Sequence, residues 1–413
     1  RHGNQSFGTG AAGSMTPAEI IAMTQTYQMG NYARHPVAFV RGEGARLFDA
    51  GGREYLDLLG GIAVALLGHS HPRVVDAVCS QAKALTHVSN LFHVPVQAEL
   101  GGLLSGAAGG GKVFFCNSGT EANEAAIKLA RKWAADGARK GAHEFVVVEG
   151  AFHGRTYGGL SATPQPKFHQ GFGPMLPGFR VVPFGEEAAL EKALTGTVCA
   201  FLVEPIQGES GVRVHPPGYL ERARALCRER GILFVADEIQ SGMGRTGGFL
   251  ASSRFGVAPD IATFAKGLAN GLPLGAVVAR EEVASAFGPG THGSTFGGNP
   301  VCCAASKVVL ETVLAPGFLA EVVRKGDLLR AGLEEITKGR SDVREIRGMG
   351  LMLGMEMETE VKETVGRCLS AGLVVGSAGE KVLRFLPPLT ITDGEIRRAL
   401  SLLEESLPRE GRK

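Results

Sequence analysis

Lys266 stands in Thr263-Phe264-Ala265-Lys266-Gly267, directly after an apolar stretch. A lysine among apolar neighbours loses charge to desolvation, and a neutral amine can add to a carbonyl as a Schiff base. The competing reading is a solvated surface charge; Phe264, Ala265, Gly267 and Leu268 weigh against it. Asp237 ends the segment GILFVADE (231–238), which reads as a buried strand. A carboxylate there points into the crevice where open α/β sheets bind ligands. Its alternative role is to cap the next segment, which Glu238, Gln240 and the loop Ser241 to Gly247 make less satisfactory.

Two further segments have the chemistry of an anion site. Asn117-Ser118-Gly119-Thr120-Glu121 lies where a strand gives way to a helix, and Ser118 with Glu121 is a capping-box signature. Free amides and the helix dipole favour a phosphate at such a terminus, although an ordinary cap has the same sequence. Gly293-Ser294-Thr295-Phe296-Gly297-Gly298-Asn299-Pro300 offers two hydroxyls in a small-residue loop, or is a plain glycine-rich turn. Each signal is weak alone. Phosphate site, strand-end acid and buried lysine together are specific.

Other motifs fail on context. Gly106 to Lys112 fits GxxxxGK, but Val113 replaces the hydroxyl that a nucleotide loop needs for magnesium, and the glycines precede a strand. Gly348 to Gly354 contains GxG inside an expected strand, where close backbone packing is the reading. His69, His71 and His153 have no partner at ligand spacing, so no metal is expected and they read as structural.

The elements that must position these residues alternate. Apolar segments 112–117, 143–150, 198–205, 231–238 and 275–279 read as buried strands, with helical stretches such as Glu121 to Ala135 and Gly218 to Arg230 between them. This implies an α/β fold with a mainly parallel sheet covered on both faces. After Pro300 one long helical run to about Thr337 is expected, then REIRGMGLMLGMEME, a short helix, the strands LVVGSAG and KVLRFLPP, and a last helix after Thr392. RLFDAGGREYLDLLG resembles a hairpin. The expected division is 15–70, an N-terminal segment joining a small domain; 71–310, a large domain; and 311–413, the rest of the small domain.

Bulk properties exclude several classes. A formal charge of +2 and the lack of a basic run with aromatics argue against nucleic acid. The longest apolar stretch, Leu58 to Gly68, is well short of the roughly 20 residues that span a bilayer. Seven scattered cysteines without a CxxC pair read as reduced thiols of a cytoplasmic protein. Residues 1–14, RHGNQSFGTGAAGS, are expected to be a disordered vector-derived remnant, with native sequence from about Met15.

The sequence resembles the fold-type I pyridoxal-5′-phosphate enzymes, and more narrowly the class III (ω-amino) aminotransferases. The likeness runs through LGHSHP (67–72), NSGTEANEAAIKLAR (117–131), FHGRT (152–156), VEPIQGE (203–209), DEIQSGMGRTG (237–247), FAKGLANGLPLGA (264–276) and HGSTFGGNP (292–300). Gly150 to Thr156, Gly61 to Val64 and Lys381 to Pro388 look most like the acetylornithine aminotransferases of arginine biosynthesis. The resemblance implies a large domain with a seven-stranded sheet, a smaller α/β domain, and a cytoplasmic homodimer with shared active sites. It implies transfer of the ω-amino group of N2-acetyl-L-ornithine to 2-oxoglutarate, giving N-acetyl-L-glutamate 5-semialdehyde and L-glutamate.

Residue by residue, the resemblance implies that Ser118, Gly119 and Thr120 hold the cofactor phosphate and Phe152 stacks on its ring. Asp237 would face the ring nitrogen, Gln240 the ring hydroxyl, and Lys266 would carry the cofactor. Thr295 would reach the phosphate of the neighbouring subunit. Arg155 and Ser294 would take the acetylornithine side, and Arg384 the carboxylate of glutamate or 2-oxoglutarate, with Glu204 pairing with Arg384 when an ω-amine enters. Phe92-His93 replaces tyrosines common in the family. Rival readings are an ornithine, succinylornithine, succinyldiaminopimelate or 4-aminobutyrate aminotransferase, or a non-catalytic protein that binds the cofactor.

Overall fold

The computed structural model describes residues 15–408, so the expectation for residues 1–14 lies outside the described residues. The central sheet has seven strands: β1 Lys112–Cys116, β2 Glu144–Val148, β3 Phe179–Val182, β4 Val198–Val203, β5 Leu233–Asp237, β6 Ile261–Phe264 and β7 Gly275–Ala279. Their spatial order is β1-β7-β6-β5-β4-β2-β3. From β6 to β3 every pair is parallel, and β7 runs antiparallel to both β6 and β1. Every residue of β4 and β5 is buried. Helices on both faces exclude water from both sides of these strands, which explains their continuous apolar runs. β3 and β6, four residues each, are too short to stand out in the sequence.

Helix α1, Gly119–Trp133, follows β1 and buries Ala122, Ala125, Ala126, Leu129 and Ala130. The expected long helix after Pro300 is two helices, α2 Pro300–Val313 and α3 Phe318–Ile336, meeting at 75°. Pro316 and Gly317 lie in the break; Gly317 adopts φ +84°, which an L side chain resists. Among the described residues no single helix is long and apolar enough to cross a membrane.

Segments from the N-terminal and C-terminal parts of the described chain meet in a second sheet. Phe39–Glu43, Arg46–Asp49 and Glu54–Asp57 run antiparallel, and Leu373–Val374 adds in parallel to the last of them. A third sheet joins Val343–Met349, Met352–Met357, Val382–Phe385 and Gly376–Ala378. The GxG around Gly348 is a hairpin there: at φ +123° its missing Cβ would collide with the carbonyl of Met352.

The apolar stretch 58–68 contains a left-handed turn. Gly60, Gly61, Ile62 and Ala63 have φ of +56°, +62°, +66° and +64°. Such backbone costs a β-branched residue on the order of 1–3 kcal/mol, so surrounding contacts must impose it. Asp57 does this: its Oδ1 accepts Leu59 N at 2.8 Å and Gly60 N at 2.9 Å, while Oδ2 is held 2.7 Å from His69 Nε2. The turn delivers Val64 to the main cavity.

Candidate active site

That cavity, about 430 Å³, opens where β5 and β6 end and α1 begins. Ser118, Gly119, Thr120, Phe152, Arg155, Glu204, Asp237, Gln240 and Lys266 all line it. Parallel strands place their C-terminal ends together, and the residues that follow them converge there.

Asp237 is 3% exposed and closely engaged. Its Oδ2 accepts Asn123 Nδ2 at 2.8 Å and lies 2.7 Å from His153 Nδ1; its Oδ1 accepts Ile239 N at 3.1 Å. The next residue, Glu238, points the opposite way, as strand alternation requires. Its carboxylate accepts Ala251 N and Ser252 N, both at 2.8 Å, so the capping task considered for Asp237 falls to Glu238.

Lys266 opens a short 3₁₀ turn after β6 with φ +45°. A non-glycine residue held left-handed is strain of the kind stored at functional sites. Burial pushes its amine below the ordinary lysine value, against the pull of Glu209, Asp237 and Glu204, while Arg384 acts with burial.

The acids correct one expectation. Glu204 does not pair with Arg384: its carboxylate accepts Phe152 N at 2.9 Å and Gly208 N at 3.2 Å. Burial pushes it up to about 7, with Asp237 adding and His153 and the two amides opposing. The partner of Arg384 is Glu209, with Nη1 2.6 Å from Oε1. The physical reason is direction. Glu204 follows β4 and turns under the Phe152 loop, whereas Glu209 lies beyond the sharp turn at Gly208, where any Cβ would strike the Gln240 amide. Burial works to raise Glu209, but Arg384 and Lys266 beside it hold it below the ordinary glutamate value. Gln240 bridges the pair, donating to Glu209 at 3.0 Å and accepting from Arg384 at 3.2 Å.

At the start of α1 the capping box is half formed. Ser118 Oγ accepts Glu121 N at 3.3 Å, but Glu121 reaches one residue further back, to Asn117 N at 2.6 Å. The first intrahelical bond is Ala122 N to Ser118 O, so the Gly119 and Thr120 amides precede the helix ladder and border the cavity. The Thr120 hydroxyl is already engaged. It lies 2.7 Å from Thr156 Oγ1 and accepts Arg155 N and Thr156 N at 3.2 Å each. A phosphate would therefore meet Thr120 through its amide. Gly154 must be glycine, since at φ +129° a Cβ would overlap the Thr120 side chain.

Arg155 is exposed, its guanidinium 4.2 Å from the Phe168 ring centroid and 5.5 Å from that of Phe152. Ser294 and Thr295 do not reach the main cavity. They line a separate one of about 370 Å³ with Asn117, Glu121, Glu124 and His292, and Ser294 Oγ accepts Asn117 Nδ2 at 3.2 Å. Asn123, His153 and Glu209 were not anticipated as site residues. A polar Asn on the alanine face of α1 was the readable signal for the first. Among the described residues no cluster could hold a metal.

The family model for aminotransferase class-III matches residues 27–407. The chain belongs to the class III aminotransferases. It is 47% identical to an acetylornithine aminotransferase of Caldanaerobacter subterraneus subsp. tengcongensis over 94% of this chain and 99% of that one. Among solved structures, it superposes with TM-score 0.91 and 38% identity on an ornithine aminotransferase of Toxoplasma gondii described with partial occupancy of PLP at the active site, covering 95% of this chain and 94% of that one. An N-acetylornithine aminotransferase of Stenotrophomonas maltophilia K279a gives 0.80 and 37%, with coverage of 94% and 98%.

Class III aminotransferases depend on pyridoxal 5′-phosphate, and the cavity fits it. Open amides at a helix N-terminus suit the phosphate, Lys266 the aldehyde, Asp237 the ring nitrogen and the Phe152 ring a stacked face.

Three outcomes follow. Lys266→Ala abolishes turnover and the absorbance band of lysine-bound cofactor; full activity in the variant would refute the assignment. Capture of cofactor aldehyde by apo-protein needs the neutral amine, so its rate rises with pH and levels off below the range where a solvated lysine deprotonates. A rate still climbing across that range contradicts the depressed amine. Because Glu204 titrates near 7 in the fold against 4.5 as an ordinary glutamate, its folded form holds the proton more tightly. That contribution is present below 4.5 and lost as pH rises to about 7. Glu204→Gln apo-protein therefore shows a smaller fall in Tm between pH 4.5 and 7 than the parent, as thermal melts in matched buffers will register.

Proposed function

We propose that this enzyme transfers the ω-amino group of N2-acetyl-L-ornithine to 2-oxoglutarate, yielding N-acetyl-L-glutamate 5-semialdehyde and L-glutamate in arginine biosynthesis. The observation that carries the reading is the pair of guanidinium groups around one lysine: Arg155 open and stacked, Arg384 closed by Glu209. The identity to the Caldanaerobacter acetylornithine aminotransferase over nearly both whole chains supports it.

Bound pyridoxal phosphate supplies the carbonyl to which amines add and the electron sink for the carbanion beside nitrogen. The chain's residues do the rest. Gly119 and Thr120 amides would grip the phosphate, Phe152 would cover one ring face, and Asp237 and Gln240 would orient the ring edge. Lys266, its proton affinity lowered by burial, would accept a proton from the substrate carbon at Nζ and deliver it to the carbon of the cofactor aldehyde, a task typically worth about 10²–10⁴-fold.

One site must accept two substrates in turn. With an ω-amine donor, Glu209 neutralises Arg384 while Arg155 offers its planar fork to the distant carboxylate. With 2-oxoglutarate, Glu209 yields Arg384 to a substrate carboxylate. Glu204 anchors Phe152 through both exchanges.

Ser294 and Thr295 belong in this reading to the partner's site in a homodimer. Asn90 holds their loop through Ser294 O and Gly297 O, and Leu91, Phe92 and Phe296 beside it are 87%, 61% and 59% exposed, an apolar surface suited to a second copy. Residues 15–70 and 311–408 then form a small domain against 71–310. Free cysteines, six of the seven buried, support a cytoplasmic setting.

Similarity to the Toxoplasma ornithine aminotransferase makes ornithine the competing donor. Acetylornithine should convert the bound cofactor far faster than ornithine, succinylornithine, succinyldiaminopimelate or 4-aminobutyrate in single-turnover spectra; equal or faster conversion by any of these reassigns the substrate. Arg384→Ala should slow the 2-oxoglutarate half-reaction by roughly 10–100-fold, the loss expected of charged hydrogen bonds, and the acetylornithine half less. Equal losses in the two halves would refute the division between the arginines.

A further inference from the structure

Asn123 is the fifth residue of α1, a position where asparagine is a poor helix former, and its side chain is fully buried. A buried amide in that place needs a reason beyond the helix. Its bonds supply one. Nδ2 donates to His153 O and to Asp237 Oδ2, both at 2.8 Å, and Oδ1 accepts Thr263 Oγ1 at 2.9 Å. Those partners come from three elements: the loop after β2, the end of β5, and β6.

Two cofactor contacts are thereby tied to one side chain. Asp237 Oδ2 already has Asn123 and His153 upon it, which turns the carboxylate so that Oδ1, with Ile239 N as its protein donor, keeps capacity toward the cavity. The bond to His153 O fixes the backbone next to Phe152, the ring expected to cover the cofactor face. Thr263 pairs in register with Asp237 across β5 and β6, so its hydroxyl sets Asn123 against a rigid reference.

We propose that Asn123, held by Thr263, is a positioning residue that sets the angle at which Asp237 meets the ring nitrogen of pyridoxal phosphate. The proposal rests on the reading that Asp237 faces that nitrogen. Asn123 touches no substrate in this scheme; it acts through Asp237.

The test compares two cofactors on apo-protein by equilibrium dialysis: pyridoxal phosphate, and its carbocyclic analogue with C–H in place of the ring nitrogen. The parent should bind the analogue more weakly. Asn123→Ala should weaken pyridoxal phosphate by at least about tenfold, as for a lost hydrogen bond to a charged group, and the analogue by less than about twofold. Equal weakening of both cofactors by Asn123→Ala, with the parent still discriminating, overturns the role of Asn123 and leaves the Asp237 reading standing. No weakening of either overturns it too. A parent that binds both cofactors equally removes the Asp237 reading itself, and the proposal falls with it. Thr263→Val, which keeps the side-chain volume and Asn123, guards against a variant that does not fold. It should show a smaller loss selective for pyridoxal phosphate, and an unselective loss counts against the proposal. Selective weakening of pyridoxal phosphate in a variant whose apo-protein melts like the parent supports positioning, whereas weakening that appears only with a large fall in apo-protein Tm counts against it.

Discussion

The site depends on one constraint: a carboxylate buried at the end of a parallel strand must be fully occupied on one side and available on the other. Asp237 meets it because β5 is flanked on both sides by parallel strands that hold its end in place, and because Asn123, His153 and Ile239 N occupy defined positions around its oxygens. A buried charge without partners costs several kcal/mol, so these bonds are a condition of the fold before they serve a reaction. Glu238, one residue on, anchors the loop behind the strand, so that two adjacent acids divide structural and chemical work by strand alternation.

Around that fixed point the charges are arranged to lower the proton affinity of a lysine amine without leaving it unattended. Lys266 is desolvated, yet Glu209, Asp237 and Glu204 are near enough to favour its charged form, and Arg384 opposes them. Any change in the Glu209–Arg384 pair is therefore felt at Lys266. The left-handed backbone at Lys266, like the turn at Gly60 to Ala63, is imposed by neighbours and holds the amine at the cavity.

Much of this was legible in the sequence where local chemistry repeats itself. Asp237 and the Gly119-Thr120 terminus stand at a strand end and a helix start that composition alone marks, and Lys266 directly follows an apolar stretch. The long apolar strands were readable because burial on both faces leaves no polar residue in them. β3 and β6 were not, at four residues each. The break between α2 and α3 was hidden because both helices share an apolar pattern, although Pro316-Gly317 signalled it. The roles of Asn123 and His153 arise only when segments remote in sequence meet, and no periodicity reports that. The Glu204 misassignment has the same origin: two glutamates five positions apart, separated by a turn whose direction depends on Gly208 fitting against Gln240.

That turn also bears on why backbone similarity leaves the donor open. The ornithine and N-acetylornithine aminotransferases superposed here share the fold with this chain to TM-scores of 0.91 and 0.80 at nearly equal identity. Acetylation removes one ammonium charge from the donor and adds a small acyl group, a difference read by a few side chains at the mouth of the cavity. Polar groups left unpaired by the wrong substrate can change rates by orders of magnitude with no shift in the backbone. In the proposed reading Arg155 would be that group, its guanidinium 4.2 Å from the Phe168 ring centroid and 5.5 Å from that of Phe152 beside the cavity. A fork held that way favours a donor that brings a carboxylate without a neighbouring ammonium. In that reading the choice of substrate rests on charge at that mouth, while the parallel sheet beneath it holds the strand ends that carry Asp237 and Lys266.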